Sequence, residues 1–256
     1  MPEIELVLWY LNFGATLVLV YRFVHCKLFR TYPFLFLYWL AQIVADVLMF
    51  QVPLRSDLYA YLYYSSQTLY MILAVGVVQE LYRAALAGHP GLAAFGRKSV
   101  LLVMGFAVLF GAAGVALDSP LLAGQYWRIH RFMTMERTID STILMVLLFI
   151  SGFLLWFPVR VRRNIVVYMT GFVLFYFFRS AGLLVTNLLP YTHRGLLSSV
   201  MEGLTLACLL VWIWGLRAEG ELETTVTGHR WNAAAAGRLS VQLDEINTAL
   251  ARFSRN

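Results

Sequence analysis

Long apolar runs separated by short polar stretches dominate the chain. Seven runs stand out, at residues 4–24, 33–52, 58–82, 99–117, 139–157, 165–184 and 196–214. Each is close to the ~20 residues that cross about 30 Å of hydrocarbon at ~1.5 Å per residue. No run alternates apolar and polar with period two, so helices rather than barrel strands are expected. Ser65, Ser66 and Gln67 interrupt the third run, but its length carries it. The pattern predicts an all-α integral membrane protein: a bundle of seven transmembrane helices over residues 1–217. In the fourth run, Ala107, Gly111 and Gly114 form a small-residue face suited to close helix packing.

Beyond Trp214 the pattern changes. Residues 218–232 (AEGELETTVTGHRWN) are polar and read as a linker. Over residues 233–256, Leu239, Leu243, Ile246, Leu250 and Phe253 recur at spacings of four, three, four and three. That is one stripe of an amphipathic cytoplasmic helix, for which Asn232 is the expected N-cap. At about two heptads it is too short for a coiled coil. The helix lies on the membrane, docks under its own bundle, or pairs through the stripe with another copy or a partner protein.

Composition supports this picture. The chain is 60% hydrophobic and only 13% charged, against about 25% charged in soluble domains. Membrane lipid is therefore the first expected partner. The net charge of +6 reads as topology-setting basic residues at span ends, not as a nucleic-acid surface, because no basic stripe with interleaved aromatics lies outside the runs. With the N-terminus outside, nine of these residues (Arg22, Lys27, Arg30, Arg83, Arg97, Lys98, Arg160, Arg162 and Arg163) fall inside. Four, namely Arg55, Arg128, Arg131 and Arg194, fall outside. This asymmetry predicts N-outside and C-cytoplasmic. Tyr126 and Tyr191 fit an outer aromatic belt. The acidic start MPEIE lacks a signal-type basic region, so the first run is expected to be retained. A cell membrane, of the bacterial inner-membrane kind, is the expected location. Cys26 and Cys208 have no CxxC partner, and a disulfide framework is not expected.

Ionisable groups within spans are costly and draw attention to function. Asp46, Arg179 and Glu202 lie inside apolar runs, each about 8 to 10 Å below the outer boundary by helical rise. Polar side chains share their faces: Asn12 in the first run, Gln42 below Asp46, and Tyr63, Gln67 and Tyr70 in the third. Tyr176 lies one turn from Arg179. Asp46 and Glu202 either pair with Arg179 and simply hold the bundle, or line an outward-open pocket. Asp46, Asp140 and Glu202 against Arg179 give a formal charge of −2. Together with tyrosine faces, that charge suits a small cationic or aromatic amine-like ligand. In MERTID (residues 135–140), Glu136 and Arg137 are expected at the outer rim in water, with Asp140 just below, as an acidic lip over the deeper layer. Glu80 and Arg83, at the inner end of the third run, are expected to pair at i,i+3.

Other chemistries find no support in the sequence. The lysines, Lys27 and Lys98, sit at span ends and cannot anchor a buried Schiff base. The five histidines are scattered, no HExxH occurs, and there is no P-loop or GxSxG. No catalytic residue, metal or cofactor is therefore assigned, and an enzyme is less expected than a binding protein. The leading expectation is a receptor-like sensor that signals through a partner. A small-molecule or proton-coupled transporter and a non-catalytic subunit of a membrane complex are the alternatives.

Overall fold

A computed structural model describes residues 3–53, 56–118, 127–157, 159–188, 194–227 and 233–253. Arg55, Tyr126, Tyr191 and Asn232, and the side chains of Arg128, Arg131, Arg194 and Phe253, lie outside the described residues. The helices are α1 (Glu3–His25), α2 (Pro33–Phe50), α3 (Asp57–Ala85), α4 (Pro90–Asp118), α5 (Trp127–Trp156), α6 (Arg163–Leu188), α7 (Arg194–Gly215) and α8 (Ala233–Phe253). Pro33 opens α2 at a position where its missing N–H costs nothing, and the Ser56 hydroxyl caps α3 by accepting from Tyr59 N–H at 3.1 Å.

Among the described residues, six helices are long and apolar enough to cross a membrane: Ile4–His25, Pro33–Phe50, Gly91–Ala113, Phe132–Trp156, Arg163–Val185 and Gly195–Gly215. The chain thus has the build of a multi-pass membrane protein. α3 is not among the six. It is long, at 29 residues, but more polar. The packing explains this. α1 contacts α2 and α7, α6 contacts α5 and α7, and α3 touches α2, α4, α5 and α6. A helix enclosed by protein on several sides can carry tyrosines, serines and glutamine that lipid would not tolerate. The fourth-run small-residue face does what was expected where it is described. Ala107 is buried, and Gly111 lies against Met135 and Thr138 of α5.

Aromatic rings fill the middle of the bundle. Trp212 packs against Trp39 at 5.3 Å and Phe172 at 5.1 Å, and Tyr168 meets Phe172 at 5.4 Å and Tyr32 at 5.3 Å between centroids. Gly171 admits the Trp212 ring, since a side chain there would overlap the indole.

The expected linker is partly built into the fold. Thr224–Thr227 (β2) pairs antiparallel with Val159–Arg162 (β1), with Val159 opposite Thr227 and Arg162 opposite Thr224. Val159 and Val161 turn inward while Arg160 and Arg162 turn out. The preceding turn, Glu219–Glu221, is latched to the bundle. The Glu221 carboxylate accepts from Tyr32 at 2.7 Å, Asn164 at 2.6 Å and Arg162 at 3.0 Å. Asn164, fully buried, also donates to Arg217 O at 2.7 Å. Three polar anchors explain why a stretch with no apolar pattern is ordered. Burial first, and then the hydrogen bond to Glu221, push the Tyr32 hydroxyl above the ordinary tyrosine range.

Of the three placements open to the C-terminal helix, α8 takes the one under its own bundle, against α4. Asn247 Oδ1 accepts from Gly91 N at 2.8 Å and Leu92 N at 3.2 Å, and so satisfies two orphan donors at the α4 N-terminus. Leu243 is buried and Leu250 packs on the core, so those two stripe positions are occupied within the chain. Ile246 remains exposed, and Leu239 is half-buried.

Candidate functional site

One end of the bundle, where α1 begins and α2 ends, is hollow. Glu5, Trp9, Asn12 and Thr16 follow one another at i, i+4, i+7 and i+11, one face of α1. That face meets α7, which contributes Ser198, Glu202 and Thr205. α2 supplies Gln42 and Asp46, and α3 supplies Tyr59, Tyr63, Gln67 and Tyr70. Two adjoining cavities of about 550 Å³ and 260 Å³ share Trp9, Gln42, Asp46, Gln67 and Glu202 in their walls.

The carboxylates of the cavity are held by neutral donors. Asn12 Nδ2 donates to Glu202 Oε2 at 2.7 Å and to Glu202 O at 3.1 Å, tying α1 to α7. Gln42 Nε2 donates to Asp46 at 3.2 Å, one turn away on α2. The Glu5 carboxylate, also buried, lies beside Gly195 at the start of α7. Among the described residues no lysine, arginine or histidine lies within ion-pair distance of Glu5, Asp46 or Glu202.

Arg179 is engaged elsewhere. Its Nε donates to Asp140 at 2.5 Å, one Nη donates to Glu136, and the same nitrogen donates to Gln67 at 2.9 Å. Glu136 and Asp140 are 4% and 2% exposed, so both belong to the interior. This corrects two expectations. Glu136 is not at a watery rim, and Arg179 does not pair with Asp46 or Glu202. α5 runs from Trp127 to Trp156 and does not begin near residue 139, so Glu136 lies within the helix rather than ahead of it. Two acids one turn apart on one face would repel, and the arginine from α6 settles between them.

Eight of the ten residues singled out from sequence line the two cavities: Asn12, Gln42, Asp46, Tyr63, Gln67, Tyr70, Arg179 and Glu202. Asp140 does not, because it is buried against Arg179. Tyr176 does not either: it lies in the aromatic core, 5.7 Å from Phe172 and 5.3 Å from Phe175. Sequence reasoning missed Glu5, Trp9 and Trp39, while Tyr59, on the polar face of the third run with Tyr63, Gln67 and Tyr70, also lines the larger cavity. The 5–9–12–16 stripe on α1 was a readable signal for the first two. Trp39 closes the floor of the smaller cavity with Phe175.

Aromatic faces crowd the larger cavity. Trp9 lies 3.8 Å and Tyr10 5.5 Å from Phe50, the latter stacked, and Tyr59, Tyr63 and Tyr70 stand opposite on α3. Trp39 Nε1, Asn12 Oδ1 and the Tyr70 hydroxyl are buried without a hydrogen-bond partner among the described residues. Such atoms are rare in folded proteins. At the other end of the bundle, Glu80 does not pair with Arg83 as expected. It accepts from Phe34 N at 2.8 Å and Tyr168 OH at 3.0 Å.

In comparisons with family models, curated proteins and solved structures, nothing matches this chain.

Proposed function

We propose that the protein is a seven-helix membrane sensor of the receptor type, with α3 as the seventh span, that binds a small cationic ligand in the cavity between α1, α2, α3 and α7. One observation carries the reading. Three carboxylates, Glu5, Asp46 and Glu202, face one aromatic-walled cavity, while the nearby cation, Arg179, is held by Glu136 and Asp140. Buried like charges without a counterion are costly. An ammonium group meets that need, and tyrosine and tryptophan faces attract it further. The partnerless Trp39 Nε1 and Asn12 Oδ1 offer a donor and an acceptor to the rest of the ligand.

In this reading α1 begins outside a cell membrane, of the bacterial inner-membrane kind, and the cavity opens outward. Below the cavity the bundle is closed by Trp39, Phe175, Phe172 and Trp212. That aromatic floor supports sensing over carriage, since transport needs access from both sides. A signal would pass by a ligand-dependent shift between two packings of this floor. It would reach a partner protein through the β1–β2 ribbon and α8. The test is thermal stabilisation of the detergent-purified protein by phenethylamine and choline, each compared with its uncharged analogue. The amines raise Tm, the neutral analogues do not, and Asp46→Asn with Glu202→Gln removes the difference. Equal shifts for charged and neutral compounds would defeat the proposal.

A further inference from the structure

The face shared by α2 and α3 carries two features that the cavity above does not use. At its far end, away from the start of α1, a cavity of about 570 Å³ is lined by Arg30, Arg83, Arg97 and Arg162, with Glu80 and Phe34. The four arginines come from four separate parts of the chain: the α1–α2 connection, the last turn of α3, α4, and β1. Only Arg162 has an acidic partner among the described residues, Glu221 at 3.0 Å. Arg30 stands over the Phe29 ring, its guanidinium carbon 5.7 Å from the centroid. Glu80 is the acidic group on this wall, and both its oxygens are used, by Phe34 N–H and by the Tyr168 hydroxyl. Four arginines and one glutamate give the wall a formal charge of +3.

Directly along the same face runs an apolar groove of about 480 Å³ between the two helices. On α2 its wall continues from Leu37 through Ala41 and Val44 to Leu48, the positions following Phe34 on one helical face. On α3 it runs from Leu73 back to Leu62, one face with Glu80 and Arg83. Leu37 to Leu48 spans about 16 Å of helix, roughly one leaflet of a ~30 Å hydrocarbon core. Ala41 and Ala45 keep the groove open, and Gly76 lets the Phe34 ring lie against α3 at the junction with the basic cavity.

We infer that this face binds one anionic phospholipid, its phosphate headgroup among Arg30, Arg83 and Arg97 and an acyl chain in the α2–α3 groove. The phosphate takes charge-assisted hydrogen bonds from the arginines. The groove replaces bulk lipid around the chain. Basic pockets at helix ends facing the inner headgroup layer are where such recognition concentrates. A soluble phosphate ester shares the headgroup chemistry but has no use for the groove, and the two therefore separate experimentally.

The experiment is native mass spectrometry of the full chain released from mixed phosphatidylglycerol and phosphatidylcholine nanodiscs. Wild type retains phosphatidylglycerol in preference to phosphatidylcholine. Arg83→Gln combined with Arg97→Gln lowers that preference by at least about tenfold, as expected for lost charged hydrogen bonds. Ala41→Trp, which fills the groove without touching the charges, lowers retention of phosphatidylglycerol as well, and Arg238→Gln on α8 changes neither. Monodispersity and unchanged Tm in detergent alone establish that the variants are folded. An unaltered preference in the double arginine variant overturns the site. Full competition by glycerol 1-phosphate, with no effect of Ala41→Trp, overturns the lipid assignment in favour of a soluble phosphate ester.

Discussion

Arg179 on α6 donates to Asp140 on α5 at 2.5 Å, and this bond decides the electrostatics of the whole hollow end. It holds the guanidinium, which lines the smaller cavity, on other acids and leaves Asp46 and Glu202 without an ion-pair partner among the described residues. The same guanidinium reaches Glu136 and Gln67, so α3, α5 and α6 are joined at one point.

Arg179→Met leaves two buried carboxylates without a cation. Breaking a buried pair in this way costs about 3–5 kcal/mol. Arg179→Lys recovers only part, because an ammonium cannot reproduce the fork that engages two acids. Adding Glu136→Gln and Asp140→Asn to Arg179→Met restores most of the loss. Reversible unfolding in mixed detergent checks all three, and equal stability of Arg179→Met and wild type would refute the clamp.

Asn164→Ala removes both bonds that Nδ2 donates and the one its Oδ1 accepts, so the Arg217 carbonyl and N–H lose these partners while Glu221 Oε1 keeps only Tyr32. A loss of about 1–3 kcal/mol is expected. Amide exchange measured by mass spectrometry should rise selectively across residues 217–227. Uniform change, or none, contradicts the latch.

Tyr32 makes this latch sensitive to alkali. Its folded hydroxyl titrates above the unfolded value of about 10. The folded state therefore holds the proton more tightly, and stability is fully present below that value and declines as pH rises beyond it. Tyr32→Phe should be less stable at neutral pH and fall less steeply above about pH 10. Denaturation curves across that range report both effects.

Gly91→Ala places a methyl group in the α8 backbone at Asn247 and Ala251. α8 must then lift from the α4 N-terminus, and limited proteolysis should cut it at lower protease concentration. Asn247→Ala keeps the approach but loses the cap, at about 1 kcal/mol, so it should show a smaller effect in the same assay.

How far the sequence could be read depended on the kind of information needed. Span length and helical periodicity placed the polar faces of α2, α3 and α7 correctly, because burial of a helix face is written in its own residues. Depth alone could not choose partners. Asp46, Glu202 and Asp140 lie near Arg179 in depth, but which of them it meets depends on helix azimuth and neighbour order. Glu136 was misplaced because hydropathy stops at residue 139 while the helix continues to Trp127. α3 read as an ordinary span, although enclosure by four neighbours is what permits its polarity. The Glu221 latch had no periodic signal, since it rests on single hydrogen bonds between residues distant in sequence.

The central claim is that Asp46 and Glu202 await a cation that Arg179 does not supply. An experimental density map of the protein with bound phenethylamine tests it most directly. The account predicts the ammonium within hydrogen-bonding distance of Asp46 and Glu202, the ring against Trp9 or Tyr63, and Arg179 still on Asp140. A map with Arg179 swung across to bridge Asp46 and Glu202, and no amine in the cavity, would contradict it.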